Sequence, residues 1–312
     1  MVSNDPQKYL SRFTTTRGQD PETMPPNDVS VQVNNLTFGY PGHAYVLHEI
    51  NLRVLKGEMF GIIGPNGAGK STLCKALNGL VPQFYGGTYG GEVAVSGMNV
   101  MKHTVAELSL KVGLVFQEPS NQFSGVSTRV DEEVAFGMSM MGFQREEMAD
   151  RISDSLRKVG LEGLEDRSPF ELSGGQQQRL AIATVLAVKP EVIVMDEPTA
   201  QLDPVGKTEV LETMRALNRE GYTIIVAEHE IEELASFADR IIALNEGRIV
   251  LGGSTRNVLT QIEQLKKIGV DPPSITELSH LMAAKAGFTP EEYPITLDEA
   301  ITLYRDRIRG HS

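Results

Sequence analysis

The chain has no tryptophan and only one cysteine, Cys74, among its 312 residues. A single cysteine excludes an internal disulfide, and such scarcity is typical of proteins that work in a reducing compartment. No apolar run approaches the ~20 residues that a membrane-spanning helix needs. The polar N-terminal stretch also lacks the apolar segment of a secretory signal. We therefore expect a soluble, cytoplasmic protein.

Basic residues are also scarce, because 29 lysines and arginines stand against 41 acidic residues and leave a net charge of −12. Proteins that bind DNA or RNA broadly carry a basic face, so we expect no direct nucleic-acid partner. The length is sufficient for one large domain or two small ones with a substantial core.

Apolar patterning divides the chain into three parts. Residues 1–28 are polar and without periodicity, which predicts a loose N-terminal tail. Residues 29–253 carry apolar runs such as MFGIIG, EVIVMDE and YTIIVAEH, typical of buried parallel strands, and end in a predicted hairpin that turns at residues 245–247. From about residue 120 to 188 helical periodicity replaces the strand signals and predicts a helical subdomain. Residues 254–312 predict a C-terminal helical extension.

The nonapeptide GPNGAGKST, residues 64–72, lies between an apolar strand and a helical run. A phosphate-binding loop requires this strand–loop–helix setting. Its glycines let backbone N–H groups turn towards phosphate oxygens, and the following helix points its positive end at them. In such a loop Lys70 can bridge the β- and γ-phosphates, and the Ser71 hydroxyl can ligate Mg²⁺.

A second motif, EVIVMDEP, is a buried strand that ends in two carboxylates, Asp196 and Glu197. Taken alone, an acidic strand end is most often a solvated turn. Beside a phosphate loop, Asp196 is predicted to hold Mg²⁺ and Glu197 to polarise the attacking water as general base.

A third motif, LSGGQQQRLAIATVLAV, begins a helix with a Ser-Gly-Gly turn. Small residues there allow a phosphate to approach the helix N-terminus closely. A simple N-cap has the same composition and is the alternative interpretation.

Together the loop at residues 64–72, LSGGQ at residues 172–176 and the Asp196–Glu197 pair resemble the nucleotide-binding domain of ABC ATPases, over about residues 31–253. The resemblance implies an α/β fold. Its P-loop (RecA-like) core would have a mainly parallel sheet, with an antiparallel β subdomain and a helical signature subdomain. It also implies hydrolysis of ATP by in-line attack of water, with ATP and Mg²⁺ as cofactors.

The resemblance assigns further positions. Tyr40, in FGYPG, is similar to the aromatic residue that stacks on adenine, and a surface tyrosine beside a turn is the alternative. Gln117 resembles the residue that senses the γ-phosphate, and His229, in VAEHE, resembles the switch histidine that positions the general base. The implied catalytic residues are Lys70, Glu197 and His229. The implied Mg²⁺ ligands are Ser71, Gln117 and Asp196. The implied ATP-binding residues are Tyr40, Gly64, Pro65, Asn66, Gly67, Ala68, Gly69, Lys70, Ser71 and Thr72.

ABC ATPase domains pack in head-to-tail pairs. The resemblance therefore implies that ATP lies between the phosphate loop of one subunit and the signature turn of a second, in a homodimer or a heterodimer. Asp203 resembles part of the loop that communicates between the two subunits. The turn offered in trans would comprise Ser173, Gly174, Gly175 and Gln176.

Transport is the favoured role, since the sequence has neither the long coiled-coil insert of repair ATPases nor the fused membrane helices of many exporters. VGLVFQEPSNQF followed by DEEVAFG resembles the ATPases of energy-coupling factor (ECF) importers. This implies membrane-embedded partner subunits and a peripheral position at the cytoplasmic face of the cell membrane. Ser120 replaces the acidic residue usual in that group, which puts a salt bridge to the membrane partner at that point in doubt. The alternatives are a generic ABC importer ATPase and a soluble ABC ATPase that remodels a protein or nucleic-acid complex.

The docking groove for a membrane partner is predicted beside Gln117. Residues 118–123 would form one wall, with Phe123 as a contact residue. The next helix adds apolar residues that either adapt to a partner helix or fill the core of the subdomain. These are Phe136, Met138, Met140 and Met141.

Overall fold

The computed structural model describes residues 28–286 and 289–310. The predicted N-terminal tail, apart from Asp28, lies outside the described residues. The strands are β1 Val29–Gly39, β2 Tyr45–Leu55, β3 Met59–Ile63, β4 Thr88–Val95, β5 Met98–Asn99, β6 Val112–Val115, β7 Val192–Asp196, β8 Thr223–Ala227, β9 Arg240–Asn245 and β10 Arg248–Ser254. The helices are α1 Lys70–Leu77, α2 Leu80–Gln83, α3 Val105–Ser109, α4 Val130–Met140, α5 Arg145–Lys158, α6 Gly174–Leu186, α7 Pro204–Arg219, α8 Ile231–Ala235, α9 Thr255–Leu259, α10 Ile262–Lys267, α11 Ser274–Ala286 and α12 Leu297–Gly310.

A six-stranded sheet in the order β10-β9-β3-β8-β7-β6 forms the centre of the fold. Its strands run parallel except β10, which turns back on β9 through the predicted hairpin. Every residue of β3, β7 and β8 is buried, as expected for parallel strands covered on both faces. Along β3 alternate side chains enter two different cores, with Met59 and Ile63 in one and Phe60 and Ile62 in the other.

A second, antiparallel sheet has the strand order β2-β1-β4-β5 and shares one of these two cores. The sequence pattern does not predict β4, because its segment TYGGEVAV carries two glycines where strands favour β-branched residues. Gly91 has a φ of +84°, and a Cβ there would lie 2.3 Å from the carbonyl oxygen of Asn35 on β1. The close approach of the two strands therefore requires the glycine. The two sheets and their helices confirm the predicted fold class.

Helices α4, α5 and α6 occupy the chain between β6 and β7. Val130, Val134 and Met138 lie fully buried on one face of α4. Helical periodicity alone would place Met141 on the same face, but Met141 lies just after the helix ends and is 38% exposed. Helices α9 to α12 follow the last strand. Within the described ranges, no helix is both long and apolar enough to cross a membrane.

The carboxyl ends of the parallel strands meet at one edge of the central sheet. Ala227, the last residue of β8, pairs with Ile62 on one side and with Asp196 on the other. The loops that follow β3, β7 and β8 therefore converge, at the usual position of a ligand site in an α/β sheet.

At the amino ends of β3 and β9, Arg240 Nη1 donates to Glu58 Oε1 at 3.0 Å, and both side chains are at most 5% exposed.

Candidate active site

The loop at residues 64–72 connects β3 to α1 and closes around its own lysine. Lys70 Nζ donates to the carbonyl oxygens of Gly64 at 2.9 Å and of Pro65 at 3.3 Å, and Lys70 is 4% exposed. Gly64 has a φ of +151°, and a Cβ there would lie 2.3 Å from the carbonyl oxygen of Leu244. A side chain is therefore excluded where the loop leaves the strand, as a tight phosphate loop requires.

A hydroxyl and a carboxylate meet beneath this loop. Ser71 Oγ donates to Asp196 Oδ1 at 2.9 Å. Burial raises the pKa of Asp196, and the bond from Ser71 opposes that rise. Two hard oxygen donors in contact suit Mg²⁺, which usually takes one or two protein oxygens together with substrate phosphates and waters. Within the described part of the chain no group of three or more His, Cys, Asp or Glu side chains could hold a metal.

Glu197 and His229 meet at the same edge, at the ends of β7 and β8. Glu197 Oε1 lies 2.6 Å from His229 Nε2 and 3.6 Å from Lys70 Nζ, and Lys70 Nζ lies 3.5 Å from the same ring nitrogen. Burial lowers the pKa of Lys70, while the charge of Glu197 opposes that change. A carboxylate, an imidazole and an ammonium in mutual contact can take a proton from water and stabilise a phosphate beside it.

Glu197 adopts an unusual backbone conformation, with a φ of +50°. Positive φ is costly for a residue other than glycine, and such residues cluster at functional sites. A hydrogen bond of 2.9 Å from the Glu197 N–H to the carbonyl oxygen of Ala227 holds this conformation. The chain thus turns sharply after Asp196 and directs the two successive carboxylates to different partners.

Tyr40 lies beside the last residue of the phosphate loop. Its hydroxyl is 3.3 Å from Thr72 Oγ1, and its ring makes edge contacts with Phe38 and Tyr85 at centroid distances of 4.9 and 6.1 Å. The side chain is half-buried. The geometry thus gives Tyr40 a fixed position near the loop, and Tyr85 is a neighbour that the sequence did not single out.

Gln117 follows β6, which pairs with β7, and its side chain is exposed. The residue before it, Phe116, is hydrogen-bonded to glutamine side chains through both its N–H and its carbonyl group. The N–H of Phe116 donates to Gln122 Oε1 at 3.2 Å, and its carbonyl oxygen accepts from Gln178 Nε2 at 3.3 Å. Gln122 Nε2 also donates to the carbonyl oxygen of Ala181 on α6 at 2.8 Å. These glutamines tie the start of the Gln117 segment to the helix that the signature motif begins.

The signature turn makes its hydrogen bonds within its own helix and with neighbouring segments. Ser173 caps α6: Ser173 Oγ accepts from the Gln176 N–H at 3.3 Å, and Gln176 Oε1 accepts from the Ser173 N–H at 3.0 Å. A Cβ on Gly175 would lie 2.6 Å from the Cα of Gly206, so α6 and α7 pack closely here. Between described residues, no hydrogen bond or ion pair joins this turn to residues 64–72.

Asp203 also has a local partner, because it is the N-cap of α7. Its Oδ1 accepts from the Gly206 N–H at 2.7 Å. The neighbouring Val205 is 67% exposed. The chain therefore presents an apolar side chain next to the predicted inter-subunit loop.

The predicted docking contact at Phe123 is wrong. Phe123 is 8% exposed and belongs to the main core, with its ring 6.2 Å from that of Phe170. The exposed ring of this pair is Phe170, at 58%. Val126 is exposed at 72% and Met140 at 75%, whereas Met138 is fully buried. The spacing could not distinguish Phe123 from Val126 because it does not fix which side of an irregular loop turns inward, whereas Met138 lies on the buried face of α4.

A buried carboxylate at Glu228 is the principal residue of this edge that the sequence analysis missed. It is 3% exposed, and it accepts hydrogen bonds from Thr199, which follows the Asp196–Glu197 pair, and from the N–H of His229. Its sequence signal is the one used for Asp196, namely an acid directly after a fully apolar strand.

Comparison with known proteins gives a consistent result. A family model described as ABC transporter matches residues 47–200. The energy-coupling factor transporter ATP-binding protein EcfA of Methanocaldococcus jannaschii is 39% identical over 271 residues, which are 86% of this chain and 94% of that protein. Several other archaeal and bacterial relatives, 40–46% identical, carry only provisional names as ABC transporter ATP-binding proteins.

Two solved structures share the fold. That of cbiO1 from Clostridium perfringens, part of the ABC transporter complex cbiONQ, has a TM-score of 0.68 and 33% identity, covering 81% of this chain and 99% of that one. The ATP-binding cassette MJ0796, in a dimeric post-hydrolysis state bound to ADP and Pi, has a TM-score of 0.62 and 31% identity, covering 72% of this chain and 98% of that one.

Proposed function

Because this chain belongs to the ABC transporter ATP-binding proteins and hydrolyses ATP, we propose that it powers the uptake of a solute through membrane-embedded partners, as the ATPase of an ECF-type importer. The observation that supports the chemistry is the mutual contact of Lys70, Glu197 and His229 at one sheet edge, with no distance above 3.6 Å. The ECF assignment rests on the similarity to an energy-coupling factor ATPase over nearly all of that protein's length.

In the proposed site the backbone N–H groups of residues 64–72 and the Lys70 ammonium bind the phosphates of ATP. Tyr40 stacks on the adenine. Ser71, Asp196 and Gln117 would hold Mg²⁺, and the ion would supply positive charge beside the phosphates. The Ser71–Asp196 contact of 2.9 Å supports this assignment, since it brings two of the three ligands together.

Glu197 is the proposed general base and takes a proton from the attacking water. His229 holds the Glu197 carboxylate through their 2.6 Å contact and reaches the γ-phosphate with its ring. A γ-phosphate also competes with Glu197 for the Lys70 ammonium, which lies 3.6 Å from that carboxylate. Loss of a neighbouring cation makes a carboxylate more basic, so ATP binding itself would prepare Glu197 for proton transfer.

A second subunit is needed because one chain offers two separate halves of a site. The turn at Ser173–Gln176 caps its own helix and makes no hydrogen bond to its own phosphate loop within the described ranges. We propose that it contacts the ATP of a partner subunit, either another copy or a related chain. The dimeric state of the related cassette bound to ADP and Pi supports this arrangement.

The membrane partner is proposed to dock beside the Gln117 segment, on the exposed apolar residues of the helical region. These are Val126, Phe136, Met140, Met141 and Phe170. Gln122 and Gln178 bind the backbone of the residue before Gln117. A movement of this surface would therefore displace Gln117 at the nucleotide site. The relation to cbiO1, which is part of an ABC transporter complex, supports a partner of this kind.

The test is to isolate the tagged chain from the membranes of its own cell and to measure solute uptake by cells that carry variants. Val126→Asp places a charge on the proposed surface at a residue that is 72% exposed. We expect normal basal ATPase but loss of the membrane partner and of uptake. Leu110→Asp, at a 44% exposed apolar residue outside the helical region, is the matched control.

Two outcomes would contradict the proposal. Retention of partner and uptake by Val126→Asp would place the docking surface elsewhere. Recovery of only soluble proteins with the wild-type chain would instead favour a soluble ATPase that remodels a protein or nucleic-acid complex.

A further inference from the structure

Glu228 is a buried carboxylate that the proposed chemistry does not use. It lies at the end of β8, between the loop that carries Glu197 and the histidine that contacts it. Glu228 Oε1 accepts from the N–H of Thr199 at 3.2 Å and from Thr199 Oγ1 at 2.8 Å. Glu228 Oε2 accepts from the N–H of His229 at 3.3 Å.

These hydrogen bonds connect the two loops that form the catalytic contact. Thr199 is two residues after Glu197, and His229 directly follows Glu228 in the chain. One side chain therefore holds the backbone on both sides of the Glu197–His229 contact, whose length is 2.6 Å. A carboxylate suits this position because all three of its partners are donors and an ionised carboxylate is acceptor-only.

We propose that Glu228 is a positioning residue for ATP hydrolysis: its ionised carboxylate holds the loop after Glu197 and the backbone of His229 in one arrangement, and protonation of that carboxylate loosens both. The inference rests on the proposed roles of Glu197 and His229. It adds to them a control of turnover by pH, exerted by a residue that does not touch the nucleotide.

Protonation weakens the arrangement for a physical reason. Hydrogen bonds to a charged acceptor are roughly twice as strong as neutral ones, so a neutral carboxyl holds both backbone N–H groups less firmly. The acidic proton also competes with the hydroxyl proton of Thr199 for the space between the two oxygens. Burial raises the pKa of Glu228 to about 7, while its hydrogen bonds from Thr199 and His229 oppose that rise.

The charged groups around Glu228 belong to several elements. Glu233 on α8 raises the pKa of Glu228 further, and Lys207 on α7 pairs with Glu233 at 2.8 Å. At the strand ends Glu197 and His229 contact Lys70, which is the first residue of α1. Among the described residues, the three hydrogen bonds to the Glu228 carboxylate come from Thr199 and from the N–H of His229.

The first test compares wild-type protein with Glu228→Gln, at saturating MgATP, over a range of pH around 7. Wild-type kcat should fall as the pH drops through the pKa of Glu228. Glutamine cannot ionise. Its side-chain NH₂ group is a donor, so it would face one of the donors of Thr199 or His229 and lose that hydrogen bond. The variant should therefore show a kcat lower by about tenfold above neutral pH, the worth of one hydrogen bond to a charged group. Its profile should be nearly flat, and its KM for ATP unchanged.

Thr199→Val provides the second test, because valine keeps the shape and removes one donor. Loss of a hydrogen bond to the ionised form raises a carboxyl pKa, so the midpoint of the pH profile should move to higher pH. Glu133→Gln is the matched control: this glutamate is 4% exposed and accepts two hydrogen bonds from Ser124, at 2.7 and 2.8 Å, away from the site. Its pH profile should match that of wild type.

Histidine side chains change charge in the same pH range, and the variants separate that source from Glu228. If Glu228→Gln keeps the wild-type profile, the titrating group is another residue and the proposal is wrong. An unshifted midpoint in Thr199→Val would overturn it as well, even if Glu228→Gln proved too unstable to assay. The proposed general base fails separately, if Glu197→Gln retains turnover while the pH effects at Glu228 and Thr199 are observed.

Discussion

Replacing Glu197 by glutamine removes the proposed general base and leaves the other contacts of the site in place. The amide keeps the size of the side chain and an oxygen that can accept from His229 Nε2, now 2.6 Å away. It cannot take a proton from water. A positioned general base contributes about 10²–10⁴ in rate, which corresponds to about 3–5 kcal/mol in the activation barrier. We therefore expect hydrolysis to fall by that factor while ATP binding persists.

Phosphate release and light scattering measure the two consequences. Hydrolysis should be reduced, and MgATP should convert the Glu197→Gln protein into a dimer, because bound ATP bridges the subunits and is no longer consumed. ADP should reverse the change. Glu49→Gln is the matched control, since Glu49 also has a positive φ, +52°, but is exposed and pairs with Arg248. Near-normal hydrolysis by Glu197→Gln would refute the assignment of the base.

Three further substitutions test the phosphate loop, the signature turn and the buried Arg240–Glu58 pair. Lys70→Ala removes the ammonium that the phosphate loop encloses, so ATP affinity itself should fall in equilibrium binding, whereas unchanged affinity would contradict the role of the lysine. Ser173→Arg should abolish the ATP-induced dimer without reducing ATP binding to the single chain, and loss of binding would mean that both half-sites serve one nucleotide. Arg240→Met leaves the buried Glu58 without its cation and should lower the free energy of unfolding by about 3–5 kcal/mol in urea titrations. Replacing both members of that pair by apolar residues should recover most of the loss.

The wrong prediction at Phe123 shows the limit of what a sequence pattern can predict. The sequence placed Phe123 on the wall of a groove, and the structure buries it at 8% exposure against Phe170. Motif spacing located the segment after the apolar run of β6, and docking of a membrane partner there stays a prediction. It could not identify the exposed aromatic residue, since residue 170 reaches this place only through the packing of the helical region.

Features that depend on near neighbours in the chain could be predicted from the sequence. The phosphate loop is one continuous segment between a strand and a helix, and the Ser173 cap joins residues three positions apart. Apolar runs predicted the buried parallel strands, and the combination of motifs predicted the fold class. Resemblance to a family was needed to join these segments, since Ser71 and Asp196 are 125 residues apart.

Which distant side chains share an environment depends on the packing of the whole fold. β4 forms because Gly91 allows close approach to β1, against its own low strand propensity. Glu228 joins Thr199 to His229 because β7 and β8 end side by side, with Asp196 paired to Ala227. Burial and hydrogen-bond partners depend on surfaces contributed by distant parts of the chain, whereas propensity and periodicity describe only near neighbours. An acidic residue after an apolar strand can therefore lie in a solvated turn or accept hydrogen bonds inside the protein, and packing alone distinguishes the two.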